Sequence, residues 1–203
     1  MKPTKEYLVS LIQTTEQKYE NFRYSDIDLS ACELSFMATK KQHFIGLKLG
    51  ISEQVRMLKY KIHESNKLRS DCKYYNKIYR LNNQIERIDK IIEGKEASSD
   101  WVAYYEKDYR YWFPIDKKGN KGRRTYIFVT HFENGRVIEE YAVEGKQIVY
   151  EQYDYINDER INYYYINYVQ TDNEPVIGES SGYYKSDTLE YVEEYSYVWY
   201  QDE

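Results

Sequence analysis

The sequence predicts an α+β protein: an N-terminal helical region with a long coiled-coil-like helical hairpin, followed by a C-terminal antiparallel β-meander of six to eight strands. Three observations predict it. Aliphatic residues before Gly94 recur at helical spacing, residues after Trp101 alternate with period two, and Asn134-Gly135 offers a two-residue hairpin turn between apolar runs. The expected division is a helical region over 1–96 and a tyrosine-rich acidic β domain over 99–203.

The first element is a helix capped by Thr4, with Leu8, Leu11, Ile12, Thr15, Tyr19 and Phe22 on one stripe. Ser30 with Glu33 reads as a capping box for a second. Ile51, Val55, Leu58 and Ile62 then step like a coiled-coil seam, and Ile78, Leu81, Ile85, Ile88 and Ile92 resume the rhythm. The phase is lost over 63–67, which leaves an antiparallel hairpin or one long helix with a register shift. The hairpin is preferred because its two stripes bury each other. Residues 51–92 are therefore expected to be helical, with Ile85, Ile88 and Ile92 buried on the other arm or on a second subunit, so that the hairpin offers a route to a homo-oligomer. Gly46 and Gly50 resemble the centre of a helix-turn-helix. The positions that must seat its second helix are Arg56 and Lys59, so the glycines are better read as a helix boundary near residue 50.

In the second part, a two-residue loop at Asn134-Gly135 pairs Glu133 with Arg136, Phe132 with Val137, Phe128 with Tyr141 and Tyr126 with Val143, and sets His131 opposite Ile138. Gly145-Lys146 as the next loop sets Val143 against Ile148 and Tyr141 against Tyr150. Turns at Asp158-Glu159 and between Asp172 and Pro175 continue the meander. Its last strand alternates Leu189, Tyr191, Tyr195, Tyr197 and Trp199 against Glu190, Val192, Glu194, Ser196, Val198 and Tyr200. The runs ENGRVIEEY (133–141) and QIVYEQYDY (147–155) resemble the tyrosine-rich β-meanders of YD-repeat and MORN-like segments over about thirty residues, which implies architecture rather than activity.

Chemistry is sparse in this pattern. His43, His63 and His131 are scattered, Cys32 and Cys72 are too few for a disulfide framework or a zinc cluster and suit a reducing compartment, and Gly119-Asn120-Lys121-Gly122 matches no phosphate-binding loop. The expectation is a non-enzymatic protein with no cofactor and no metal. With 26 tyrosines in 203 residues, a mean hydropathy of −0.87 and no apolar run of membrane-spanning length, it is expected to be cytoplasmic and without a membrane partner.

Charge supplies the functional expectation. Residues 40–90 hold 13 basic and 5 acidic side chains, whereas residues 131–203 hold 4 and 17. The first reading is a macromolecular interaction protein. Its acidic, tyrosine-rich surface, with Tyr163, Tyr165, Tyr183, Tyr184, Glu190, Glu193 and Glu194, binds and blocks a protein or nucleoprotein complex that handles nucleic acid. In size, acidity and tyrosine content the chain is similar to phage-encoded inhibitors of bacterial defence, anti-CRISPR proteins among them. The alternative is a nucleic-acid-binding module using Lys59, Lys67, Lys73, Lys77 and Arg80 on the basic hairpin together with Lys121, Arg123 and Arg124 in the loop over 117–124.

Overall fold

The computed structural model describes residues 2–23, 28–39, 50–97, 100–116, 118, 120–122, 126–171 and 175–198. It is predominantly antiparallel β-sheet. The described residues hold thirteen strands and two short helices, Lys5–Asn21 (α1) and Ile51–Lys59 (α2), and no coiled-coil hairpin. The chain divides into two compact units, Met1–Phe22 with Tyr126–Glu203, and Arg23–Thr125.

The first unit is a meander of strands β8 (Ile127–Glu133), β9 (Arg136–Glu144), β10 (Gln147–Tyr155), β11 (Arg160–Val169), β12 (Val176–Lys185) and β13 (Tyr191–Val198), each paired with the next. Helix α1 packs on β9 and β10. Its buried stripe is the expected one as far as Tyr19 (Leu8, Leu11, Ile12, Thr15 and Tyr19), with Phe22 half-buried at the C-cap, and the Thr4 hydroxyl accepts a hydrogen bond from the Tyr7 N–H. Beneath it, Val129, Tyr141, Val143, Ile148 and Tyr150 are buried on register positions that share one face of β8, β9 and β10. The Asn134-Gly135 turn is present, with both residues at positive φ (51° and 75°) as a two-residue hairpin loop requires.

The register expected around that turn holds only as far as Phe132 with Val137. A bulge at Ile138 sets His131 against Glu139, so Val129 opposes Tyr141 and Ile127 opposes Val143. Phe128 thereby falls opposite Ala142, on the other face. From β9 to β10 no bulge intervenes, and the expected pairs Val143 with Ile148 and Tyr141 with Tyr150 form.

The second unit corrects the helical reading. Ser30 begins no helix: Leu29–Ala31 is a single 3-10 turn, capped by the Asp28 carboxylate, and leads into β1 (Glu33–Thr39). Helix α2 starts at the boundary marked by Gly50 and ends at Lys59. The chain then runs through β2 (Glu64–Ser65), β3 (Tyr74–Leu81), β4 (Gln84–Ile92), β5 (Lys95–Glu96), β6 (Asp100–Glu106) and β7 (Tyr109–Ile115). Residues Ile78, Leu81, Ile85, Ile88 and Ile92 belong to the β3–β4 hairpin, whose loop is Asn82-Asn83, both at positive φ. A bulge at Glu86 explains the helical disguise. Arg80 opposes Ile85 and Ile78 opposes Ile88, so the extra residue puts Ile85 and Ile88, three apart, on one face of a strand. Ile85 and Ile88 are buried as expected, while Ile92 is half-buried and Ile91, on the other face of the strand, is buried.

Candidate functional site

The meander brings the β10–β11 and β12–β13 turns to the same end of the first unit, because alternate hairpins reverse there. The Asn157 side chain accepts from the Glu159 and Arg160 N–H groups at 2.9 and 2.8 Å, fixing the first turn. In the second, the Asp187 carboxylate accepts from the Thr188 N–H at 2.8 Å. The Ser186 N–H donates to the Glu159 carbonyl at 3.0 Å and ties the two turns together. Residues 154–160 and 185–194 thus present seven carboxylates, Asp154, Asp158, Glu159, Asp187, Glu190, Glu193 and Glu194, against Arg160 and Lys185. Two of the seven are neutralised locally, Glu190 by Lys185 at 2.7 Å and Glu194 by Arg160 at 3.2 Å. The other five form no salt bridge among the described residues, and all are exposed.

Arg160 organises this end. Its guanidinium lies 4.1 Å from the Tyr183 ring centroid, and its Nε donates to the Asn162 side chain at 2.6 Å. Beside it is a concave pocket of about 220 Å³ that includes Lys2, Asp154, Asn162, Tyr164 and Glu194 in its lining. Lys2 pairs with Glu179 at 2.5 Å, and the Tyr164 hydroxyl also donates to Glu179. Burial pushes the Glu179 carboxyl up, but those two hydrogen bonds outweigh it and hold the group below its ordinary range.

Of the tyrosines singled out from sequence, Tyr163 and Tyr184 are packing residues of one cluster on the opposite face of the sheet. Tyr163 lies 5.3 Å from Tyr184, 5.6 Å from Tyr191 and 5.6 Å from Tyr153, centroid to centroid. Burial raises the hydroxyl pKa of Tyr163 strongly, and of Tyr184 likewise, so both stay protonated. Tyr165 is half-buried, between Glu151 and Ser180 on the neighbouring strands. Tyr183 alone of the four sits at the acidic end, under Arg160. Glu190, Glu193 and Glu194 are brought together there, and Asp154, Asp158, Glu159 and Asp187 join them. Sequence reading missed those four because it scored strands singly. The available signal was that both acidic turns close hairpins of the same parity.

Exposed large aromatics occur on β13 instead. A bulge at Glu194 sets Tyr195 against Ser181 and Tyr197 against Glu179, on the face opposite Tyr191. Tyr195 and Tyr197 are 48% and 39% exposed, with rings stacked 6.4 Å apart.

The basic candidates do not converge. Lys59 ends α2 beside Tyr60, Lys67 and Lys73 lie in exposed loops, and Lys77 is on β3 opposite Phe36 and Asp89. Arg80 is committed to Glu64 through two hydrogen bonds at 2.5 and 2.9 Å. Lys121 is exposed at an isolated bridge to Ile115. Arg123 and Arg124 lie outside the described residues, as do the residues 40–49 that carry the helix-turn-helix resemblance.

Two further titratable groups are structural. Glu139 accepts from the hydroxyls of Tyr150 at 2.8 Å and Tyr7 at 3.0 Å and faces His131 Nδ1 at 3.2 Å, fastening α1 to the sheet. Asp100, in the second unit, is pushed up to about 6 by burial and by Asp89, despite Arg87 at 3.1 Å. Cys32 and Cys72 are unbridged. No helix among the described residues is long and apolar enough to cross a membrane. No family model, curated protein or solved structure matches the chain.

Proposed function

We propose that this protein is a non-enzymatic binding module whose acidic sheet end engages a basic protein surface and occludes it. The observation that carries the reading is the convergence of seven carboxylates on two hydrogen-bonded turns and the strand ends beside them, five of which form no salt bridge among the described residues. Hydrogen bonds within and between the two turns fix their backbone, so little loop entropy is lost on docking. Surfaces that hold nucleic-acid phosphates are the densest natural source of opposing positive charge, which makes a nucleic-acid-handling protein the fitting target. Tyr183 and its Arg160 partner add a rigid aromatic contact at the centre of the patch.

The experiment compares proteins captured from the native host by the wild type and by an Asp158→Lys, Asp187→Lys, Glu193→Lys variant. These three positions are chosen because Glu190 and Glu194 hold internal pairs, and reversing them would also unpair Lys185 and Arg160. The reading expects a basic protein retained by the wild type, released by rising salt and lost from the variant. The same protein held equally by both would remove the acidic end as the working surface.

A further inference from the structure

We propose that the second half of β13, over residues 195–197, pairs antiparallel with the same segment of a second copy of this chain across a two-fold axis. Strand β13 is the last in the strand order, bonded to β12 on its inner side, and no described strand lies beyond it. An open edge exposes backbone donors and acceptors to any passing strand, and proteins usually guard such edges with proline, lysine or a bulge. β13 contains neither proline nor lysine. Its bulge, at Glu194, protects only the first half. From Tyr195 onward the strand is regular, carries no charge, and displays the two stacked exposed tyrosines.

Electrostatics selects the occupant. A cationic strand would find no carboxylate on residues 195–198, and Glu194 at their border is already given to Arg160. A second copy fits. With Ser196 opposite Ser196 of the second copy, each Tyr195 falls across from Tyr197 of the other, and four rings form a continuous ladder on one face. In that register the two Glu194 positions are four residues apart, ~13 Å along the strands. This exceeds the screening length of about 8 Å at physiological ionic strength. The antiparallel arrangement also points the two acidic ends in opposite directions. It leaves them open, so this dimer is independent of the binding function proposed above. An isologous contact of this kind closes on itself and does not propagate into a fibre.

The test is sedimentation velocity on the full chain from micromolar to submillimolar concentration, with three variants. The wild type is expected to shift from monomer to dimer as concentration rises. Tyr195→Lys with Tyr197→Lys is expected to stay monomeric while still unfolding cooperatively, because the two rings are 48% and 39% exposed at the sheet edge. In a Cys32→Ser, Cys72→Ser background, Ser196→Cys is expected to form an intermolecular disulfide under mild oxidation, faster than Glu193→Cys. A wild type monomeric throughout, a dimer that survives the two lysines, or Ser196→Cys that crosslinks no faster than Glu193→Cys would each overturn the proposal.

Discussion

Gly182 is where one absent atom decides the local structure. A Cβ there would lie 2.1 Å from the Val192 carbonyl and 2.9 Å from the Tyr191 ring, which covers the glycine on its way to Tyr163 and Tyr184. Gly182→Ala is therefore expected to destabilise the protein by about 2 kcal/mol or more, since backbone rather than a flexible side chain must yield. Gly178→Ala on the same strand meets nothing within 4 Å. Its urea midpoint should stay within error of the wild type, and equal losses at the two glycines would refute the crowding argument. Asp100 gives a second residue-scale prediction. Its folded pKa, about 6, lies above the value near 3.8 of an unperturbed aspartate, so the folded state binds the proton more tightly than the unfolded chain. Relative to Asp100→Asn, the wild type should lose stability as pH rises from about 4 to about 6, by on the order of 2 kcal/mol, and change no further above pH 7. Denaturant curves for the pair at several pH values check this, and a difference that grows with pH in the opposite sense would sink it.

At the scale of elements, α1 belongs to strands more than a hundred residues away in sequence, and Glu139 is the polar fastening between them. Glu139→Ala strips the buried Tyr150 hydroxyl of its acceptor and is expected to cost about 1–3 kcal/mol. Tyr7→Phe, at a half-buried site, should cost less, and the reverse order in thermal unfolding would show that water replaces the carboxylate. What sequence made legible here follows from how local each cause is. Helix α1 was readable because its cap and stripe are contained within one element, and the Asn134-Gly135 hairpin because the turn needs residues that accept positive φ. Bulges defeated the rest. One extra residue at Ile138 exchanged Phe128 for Val129 on the face under α1, and one at Glu86 gave Ile85 and Ile88 a helical spacing within a strand. The signal passed over was Asn82-Asn83, a turn pair that tolerates left-handed backbone, though less readily than Asn-Gly. The acidic end was half legible: its charge was visible in composition, but the convergence of two turns depends on strand order.

Over the whole molecule, charge follows the division into units. Residues of the first unit comprise 7 basic and 20 acidic side chains, and those of the second 22 and 14, so balances of −13 and +8 make up the net −5. A dipolar chain of this kind must choose its partner's sign by which charges are uncommitted, and net charge says nothing about that. In the second unit Arg80 is spent on Glu64 and the exposed lysines Lys59, Lys67 and Lys73 are spread over a helix end and two loops, while the acidic end gathers five carboxylates outside any salt bridge among the described residues. The consequence is kinetic. Uncommitted charge acts at long range on encounter, whereas paired charge does not, so association with a basic partner should slow steeply with salt while dissociation changes little. Reversing Asp158, Asp187 and Glu193 to lysine should lower the association rate by about ten- to hundredfold at low salt and flatten its salt dependence. Reversal of Lys67 and Lys73, exposed on the second unit, should leave the rate unchanged or raise it slightly. Stopped-flow measurement on the partner recovered from the host distinguishes these cases. A rate that falls for the lysine reversals and holds for the carboxylate reversals would transfer the working surface to the second unit and its ligand to an anion.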